Sequence, residues 1–342
     1  MSDTNSSALL SRLTALWAFS ECALGGIMHA LKLPFTGVLV GGFAVLCIAL
    51  LAHFSGRSAA AVLRATMLVV LVKAVVSPQS PPTAYLAVGF QGVIGALLLC
   101  YGRPAAWMPF IFGPLAMLES AFQKILVLLI FFGAPLVEAL DKFWTDVLKN
   151  FNLEPAYSGS AMVVSIYIGI YAIWGVVLAF WMRVLPRQVL EKQAQYADWQ
   201  PETATLELSV KKRRKNRWLF FSLVLLFIIS VLLLSAGPAK GWQKASYALL
   251  RTTAVLAAWW FVFRPLVQNL FQRWAARRRA EQQSVVADMV GQIPQIQAHA
   301  LSLYQYISLR EKGWRKWPEF VKALFVTTLR PALENKPTHD AD

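Results

Sequence analysis

Residues 34–53 read PFTGVLVGGFAVLCIALLAH and contain no Lys, Arg, Asp or Glu. A helix needs about 20 apolar residues to cross the hydrocarbon core of a bilayer, and this segment has that length. Seven further apolar segments surround it, at residues 12–32, 59–77, 82–101, 105–135, 160–184, 217–236 and 245–263. Soluble domains do not carry so many segments of this kind, so the sequence predicts a polytopic membrane protein.

The composition favours an all-α fold. The chain has 342 residues, of which 57% are hydrophobic and 15% are charged, and its mean hydropathy is +0.51. The apolar segments are continuous and do not alternate with polar residues, which favours helices over the strands of a membrane barrel. We therefore expect about eight transmembrane helices, a six-helix bundle plus a two-helix hairpin, followed by a cytoplasmic amphipathic helical tail.

The net charge of +15 is unevenly distributed along the chain. Residues 1–182 hold 9 Lys/Arg and 7 Asp/Glu, whereas residues 183–342 hold 24 Lys/Arg and 11 Asp/Glu. A basic surplus beside membrane spans indicates cytoplasmic loops that face anionic lipid. The basic connection at 185–216 is therefore predicted to be cytoplasmic, and counting back through six spans places the N-terminus there too. The expected location is the bacterial inner (cytoplasmic) membrane, with both termini cytoplasmic.

The sequence divides into five parts by composition. They are a six-span bundle (1–185), a polar and basic cytoplasmic linker (186–216), a two-span hairpin (217–263), basic amphipathic helices (264–335) and a disordered tail (336–342). The amphipathic helices are too polar to span a bilayer. They suit either the lipid interface or a groove on a partner protein.

Polar side chains inside the predicted spans are the candidates for a binding site. Glu21 and His29 lie in the first span, where an ionisable residue is costly and usually faces a cavity or a partner. Tyr85 and Gln91 lie in a segment, 77–92, that is rich in prolines and hydrogen-bonding groups. Apolar walls with a few polar groups are typical of small-molecule pockets, so these four residues are predicted to bind substrate. The alternatives are neutralisation of Glu21 inside the bundle and a plain Pro-rich turn at 77–92.

Three further ionisable residues are candidates for the same role. Lys73 lies near the external end of the third span, and Glu119 and Lys124 lie in the fifth. Each could contact a ligand or take part in mutual neutralisation inside the bundle.

A stripe of small residues runs along the first span at Ala18, Cys22, Gly26 and Ala30. Small residues at every fourth position let another helix approach closely. The stripe indicates either ordinary packing within the chain or an interface for a separate membrane subunit.

Several chemical motifs are missing from the sequence. It has no Gly-rich phosphate loop ending in Lys-Ser/Thr, no HExxH or CxxC motif and no nucleophile elbow. We therefore predict no catalytic residue, no metal site, no cofactor and no ATP site of its own, so the chain is not expected to be an enzyme. No nucleic-acid module accompanies the basic charge, and nucleic acid is not an expected partner.

With these features the chain resembles an energy-coupling factor (ECF) transporter. In that family an S component of about six helices captures a vitamin, a vitamin precursor or a metal ion from outside, and a T component links it to two cytoplasmic ATPases. Residues 8–185 are similar to an S component in size, span number and orientation. The small-residue stripe is similar to the alanine-rich face by which the S component's first helix meets the T component.

A second, fainter likeness connects residues 245–330 with a T component. The stretch ADMVGQIPQIQAHALSLYQYISLREKG (287–313) is similar to the amphipathic coupling helices, which contain an Ile-Pro step and end in Ala-Arg-Gly; here the end reads Arg-Glu-Lys-Gly. This resemblance implies that Arg277, Arg278, Arg279 and Arg310 dock an ATPase.

The resemblance implies a transport protein that binds a small nutrient from outside and imports it with separate ABC-type ATPase subunits. The expected partners are this small-molecule substrate, the ATPases, a further membrane coupling subunit and anionic lipid. The alternative function is a membrane scaffold or assembly factor that recruits a partner through its basic amphipathic C-terminal tail. A lipid-modifying enzyme is a third possibility, which the missing catalytic motifs disfavour.

Overall fold

The structure is a computed structural model, and it describes most of the chain. The described residues are 3–24, 37–77, 80–101, 106–152, 157–196 and 264–334, with the single positions 199, 246, 250 and 253. Within these ranges the backbone is helical and contains no strand, which confirms the predicted all-α class. The predicted segment 217–236, nearly all of 245–263 and the tail 336–342 lie outside the described residues.

The described residues form ten α-helices. They are α1 Asp3–Phe19, α2 Gly42–Phe54, α3 Ala59–Val76, α4 Pro82–Cys100, α5 Met108–Phe132, α6 Ala134–Asn150, α7 Gly159–Glu191, α8 Arg264–Glu281, α9 Gln283–Arg310 and α10 Lys316–Glu334. A π-helical turn, Ser20–Leu24, continues α1, and another, Gly37–Gly41, leads into α2.

Five described helices are long and apolar enough to cross a membrane: Gly37–Phe54, Ala59–Val76, Pro82–Cys100, Met108–Phe132 and Gly159–Glu191. They coincide with the second to the sixth predicted segments. The first predicted segment, 12–32, is described only as far as residue 24. The chain therefore fits a multi-pass membrane protein, and the total of eight spans stays a prediction.

Local chemistry sets where these helices begin and end. The Ser58 hydroxyl accepts a hydrogen bond from the Ala61 amide at 3.2 Å and caps the start of α3. Pro82 occupies the first turn of α4, where its missing N–H costs nothing. Gly56 and Arg57 both have positive φ angles, 62° and 66°, and this left-handed pair reverses the chain between α2 and α3.

The chain divides into two compact units. The first contains residues 1–123, 166–205 and 270–342, and the second contains 124–165 and 206–269. The division of the chain into five parts by composition stays a prediction.

The core of the first unit is built around α1. This helix packs against α2, α3, α9 and α10, and its Leu13, Leu16 and Trp17 side chains are fully buried. The ring of Phe325 in α10 stacks on Phe43 in α2, with 5.0 Å between ring centroids. The apolar face of α10 is thus covered by helices from the N-terminal part of the chain.

The helices α5 and α7 cross closely in the first unit. A Cβ atom on Gly113 would overlap the carbonyl oxygen of Gly175, so both positions need glycine for the helices to approach this far. Nearby, the indole N–H of Trp174 donates to the carbonyl oxygen of Val38 at 2.9 Å and connects α7 to the turn before α2.

The described helices of the second unit are the end of α5, all of α6, the start of α7 and the start of α8. The Asp141 carboxylate in α6 accepts a hydrogen bond from the backbone N–H of Ser160 at 2.7 Å, which caps the start of α7. This backbone hydrogen bond stabilises the ionised carboxylate and lowers the pKa of Asp141.

Candidate functional site

The structure joins Glu21 and Lys73 in a buried ion pair. Glu21 lies in the π-helical turn that follows α1, and Lys73 lies in the last turn of α3. The Lys73 Nζ atom is 2.6 Å from Glu21 Oε2, and the two side chains are only 4% and 6% exposed. Both charges are therefore removed from water and stabilised by each other.

Polar groups from the same region surround this pair. The Ser77 hydroxyl donates to the carbonyl oxygen of Cys22 at 3.4 Å, and the Tyr85 hydroxyl donates to the carbonyl oxygen of Ser77 at 3.1 Å. The Lys73 ammonium lies 5.8 Å from the centre of the Tyr85 ring, within reach of a cation–π interaction. These five residues, called the Glu21 cluster below, join α1, α3 and α4.

The electrostatics of the cluster make the two charges interdependent. Removing each of the two ions from water costs several kcal/mol. Their mutual attraction in the low-dielectric interior offsets a similar amount of free energy. Removing one partner leaves the other as an uncompensated buried charge, which is far less favourable than either the intact pair or no charge at all. A charged ligand that entered the cluster could compete with one partner for the other.

Only part of the predicted substrate-binding set comes together. Glu21 and Tyr85 share the cluster, whereas Gln91 lies further along α4, where a Cβ atom on Gly41 would be 3.1 Å from its Nε2 atom. The Gln91 side chain is 1% exposed and packs against the turn before α2. His29 lies outside the described residues.

The other candidates inside the spans have different surroundings. Ala18 and Cys22 of the small-residue stripe are buried in the core of the first unit, while Gly26 and Ala30 lie outside the described residues. The Glu119 carboxylate accepts hydrogen bonds from Ser120 and Gln123 of its own helix.

Three of the four basic residues predicted to dock an ATPase lie on the surface. Arg277 and Arg278 in α8 are exposed, and Arg310 at the end of α9 is exposed with its guanidinium 4.2 Å from the centre of the Tyr306 ring. The Arg279 side chain lies outside the described residues.

The pairing of Glu21 with Lys73 was not predicted, although both residues were candidates. They are 52 positions apart and lie on different helices. No local signal joins them: Lys73 lies near the external end of its predicted span, whereas Glu21 lies near the middle of the predicted span 12–32.

A second polar region, also missed, lies among α1, α9 and α10. A cavity of about 890 Å³ opens there, lined by Arg12, His299 and Thr328 among others. The Arg12 guanidinium donates to the Thr328 carbonyl oxygen at 3.3 Å, and the Thr328 hydroxyl is buried without a hydrogen-bond partner. Two sequence features could have indicated this region: the charged residue Arg12 on α1 and the histidine His299 on an amphipathic helix.

His299 in this region is held in its neutral form. Burial, with the positive charge of Arg12, lowers the pKa of His299 to about 4. Its Nε2 atom is 2.8 Å from the Thr327 hydroxyl, which itself donates to the carbonyl oxygen of Ala323. Because the hydroxyl has a single proton, His299 Nε2 is the donor in this contact, and the proton of the neutral ring is on Nε2.

Hydrogen bonds and an ion pair connect α10 to the segment that follows α7. Glu319 accepts a hydrogen bond from the Tyr196 hydroxyl at 2.9 Å and pairs with Lys192 at 3.3 Å. Burial raises the pKa of the Glu319 carboxyl, but the Tyr196 hydrogen bond and the Lys192 charge outweigh it, so the pKa is lowered. The Arg330 guanidinium donates to the carbonyl oxygen of Tyr196 at 2.6 Å.

Within the described ranges, no group of three His, Cys, Asp or Glu side chains could hold a metal ion. Comparison with protein-family models, with curated proteins and with solved structures gives no match for this chain.

Proposed function

We propose that this chain is a transport protein of the bacterial inner membrane that binds a small nutrient from outside and imports it with separate ATPase subunits. The observation that carries the proposal is the Glu21–Lys73 pair, buried among apolar helices. Ionisable residues inside a membrane are expensive, and they mark substrate and ion pathways.

The position of the Glu21 cluster supports capture from outside. In the topology that the charge distribution predicts, α3 ends and α4 begins at the outer face, so Lys73, Ser77 and Tyr85 of the cluster lie towards that face. A nutrient with a carboxylate or an amine would find a complementary charge in the cluster, and the Tyr85 ring supplies apolar contact.

The packing of α1 supports coupling to the tail. The same helix leads to Glu21 at one end and contacts α9 and α10 along its length, and Arg12 joins it to the carbonyl oxygen of Thr328 in α10. An ATPase bound at Arg310, at the end of α9, would therefore act on a helix that contacts α1 directly. In this proposal residues 8–185 act as an ECF S component and 264–335 as its coupling part.

The test is native purification of the full chain in mild detergent, followed by mass spectrometry of both small molecules and proteins. We expect a nutrient-sized molecule at near-stoichiometric amounts and an ABC-type ATPase. Glu21→Gln should lose the small molecule, and Glu138→Gln, the same chemical change at an exposed position in α6, should retain it.

Other outcomes would overturn the proposal. Isolation of a stable complex with neither a small molecule nor an ATPase would support the scaffold function. Equal ligand content in Glu21→Gln and Glu138→Gln would separate any bound molecule from the Glu21 cluster.

A further inference from the structure

A second cavity lies at the end of α4 that is opposite to the Glu21 cluster. It has a volume of about 540 Å³ and is bounded by the end of α2, the end of α4, the start of α5 and the last third of α7. Most of its wall is apolar and includes Leu98, Met108 and Met182. Its size falls within the range of small-molecule sites.

The polar side chains that line this cavity are three arginines and His53. Arg57, Arg183 and Arg187 all line it, and no carboxylate does so among the described residues. Arg57 lies in the α2–α3 turn, and its Nε donates to the Leu99 carbonyl oxygen at 2.9 Å, which anchors the guanidinium to the end of α4. Arg187 pairs with Glu191 at 2.6 Å on the exposed side of α7, which leaves the site as a whole positive.

The surroundings of the cavity place it at the level of lipid headgroups. Tyr101 and Trp107, which flank the connection between α4 and α5, are 63% and 56% exposed. Amphipathic aromatic side chains with this exposure are typical of the membrane–water interface. On α7 the apolar Val184 and Leu190 are also about half exposed, so an apolar surface continues outward from the cavity.

We propose that this cavity binds an anionic phospholipid, with the lipid phosphate on the Arg57, Arg183 and Arg187 guanidiniums and the glycerol and upper acyl chain on the apolar wall. Guanidinium groups match phosphate oxygens in charge and in planar hydrogen-bonding geometry. The apolar wall favours an amphiphile over free phosphate, because phosphate alone would leave that surface empty. The site is separate from the Glu21 cluster and does not depend on the proposed transport function.

The experiment measures lipid binding to the full-length protein in detergent by native mass spectrometry. Phosphatidylglycerol, phosphatidylcholine and inorganic phosphate are the three probes. We expect tight binding of phosphatidylglycerol, weak binding of phosphatidylcholine and no displacement by millimolar phosphate. Arg183→Gln/Arg187→Gln should weaken phosphatidylglycerol binding by about tenfold or more, since each basic residue near an anionic lipid surface contributes about 1 kcal/mol.

The control is Arg64→Gln, which removes the same charge from an exposed position on α3 that does not line the cavity. It should bind phosphatidylglycerol like the wild type. If the double variant does not yield monodisperse protein, Arg183→Gln alone gives the same comparison with a smaller loss. Equal affinity of Arg64→Gln and the cavity variants, equal binding of the two lipids, or full displacement by phosphate would each overturn the proposal.

Discussion

Two apolar spans of this protein, α2 with the turn before it and α5, have opposite environments. In the most apolar window of each, 72% of the residues of Gly37–Phe54 are buried inside the protein, against 17% for Met108–Phe132. The amphipathic helix α10, which is not among the candidate spans, has Phe325, Val326 and Leu329 buried. Hydropathy therefore shows that a segment needs apolar surroundings, but it does not show whether protein or lipid supplies them.

The difference separates a buried centre from outer helices. The buried centre is α1, α2, α3 and α10, and the outer helices are α5 and α7. The centre contains the Glu21–Lys73 pair, whereas the outer helices expose large apolar side chains such as Phe122 and Ile173. Substitutions in the centre should be costly, and similar substitutions on the outer surfaces should be tolerated.

The largest effect is expected from breaking the ion pair. Lys73→Met leaves the Glu21 carboxylate alone in an apolar interior, which should lower the free energy of unfolding by about 3–5 kcal/mol. Glu21→Gln/Lys73→Met removes both charges and should recover most of this loss. Thermal unfolding in detergent measures both, with Lys142→Met at an exposed position as control. A stable Lys73→Met protein would show that the charges are not buried together.

Truncation of one aromatic ring in each region compares the two environments directly. Phe325→Ala removes a fully buried ring that stacks on Phe43 and should cost about 3–5 kcal/mol. Phe122→Ala removes a ring that is 54% exposed on α5 and should cost about 0.5 kcal/mol or less. Equal shifts in melting temperature for the two variants would mean that α10 is not part of the buried centre.

Among the outer helices, the crossing of α5 with α7 is an exception to this tolerance. Gly175→Leu places a side chain against the backbone of Gly113 and Pro114 and should destabilise the protein by about 3 kcal/mol. Gly169→Leu on the same helix has open space around its Cβ position and serves as the control. Unchanged stability of Gly175→Leu would contradict the close approach of the two helices.

A smaller effect is expected from pH at the junction of α1, α9 and α10. The pKa of His299 is lowered in the folded protein to about 4. Between that value and its ordinary pKa the unfolded chain binds the additional proton, so stability falls as the pH drops below about 6.5. The loss should reach about 2 kcal/mol near pH 5. Denaturant unfolding of wild type and His299→Gln at several pH values measures it, and the same pH slope in both would contradict the buried neutral ring.

Two spans were predicted closely from the sequence. The predicted segments 59–77 and 82–101 match Ala59–Val76 and Pro82–Cys100, because each is an apolar segment of about the length that crosses a bilayer. The periodicity of apolar residues also indicated the amphipathic helices near the C-terminus. Which helix covers an apolar face depends on the tertiary structure and not on the local sequence. The packing of α10 on α1 could therefore not be predicted from the sequence.

The residues of the candidate site could be predicted from the sequence, but the contacts between them could not. The cost of an ionisable group inside a span singled out Glu21 and Lys73 one at a time. Their pairing depends on how α1 and α3 are placed side by side, which no local pattern encodes. The basic cavity likewise combines residues from four helices, and only the positive charge of its parts was visible in the sequence.

The most direct test of the proposed role of the Glu21 cluster is the exchange of its two charges. Glu21→Lys/Lys73→Glu keeps a buried ion pair but reverses its direction with respect to any bound nutrient. We expect the exchanged protein to unfold at a temperature close to the wild type, well above Lys73→Met, and to lose its co-purifying small molecule. An exchanged protein that still carries the molecule in wild-type amounts would contradict the account and leave the pair a purely structural role.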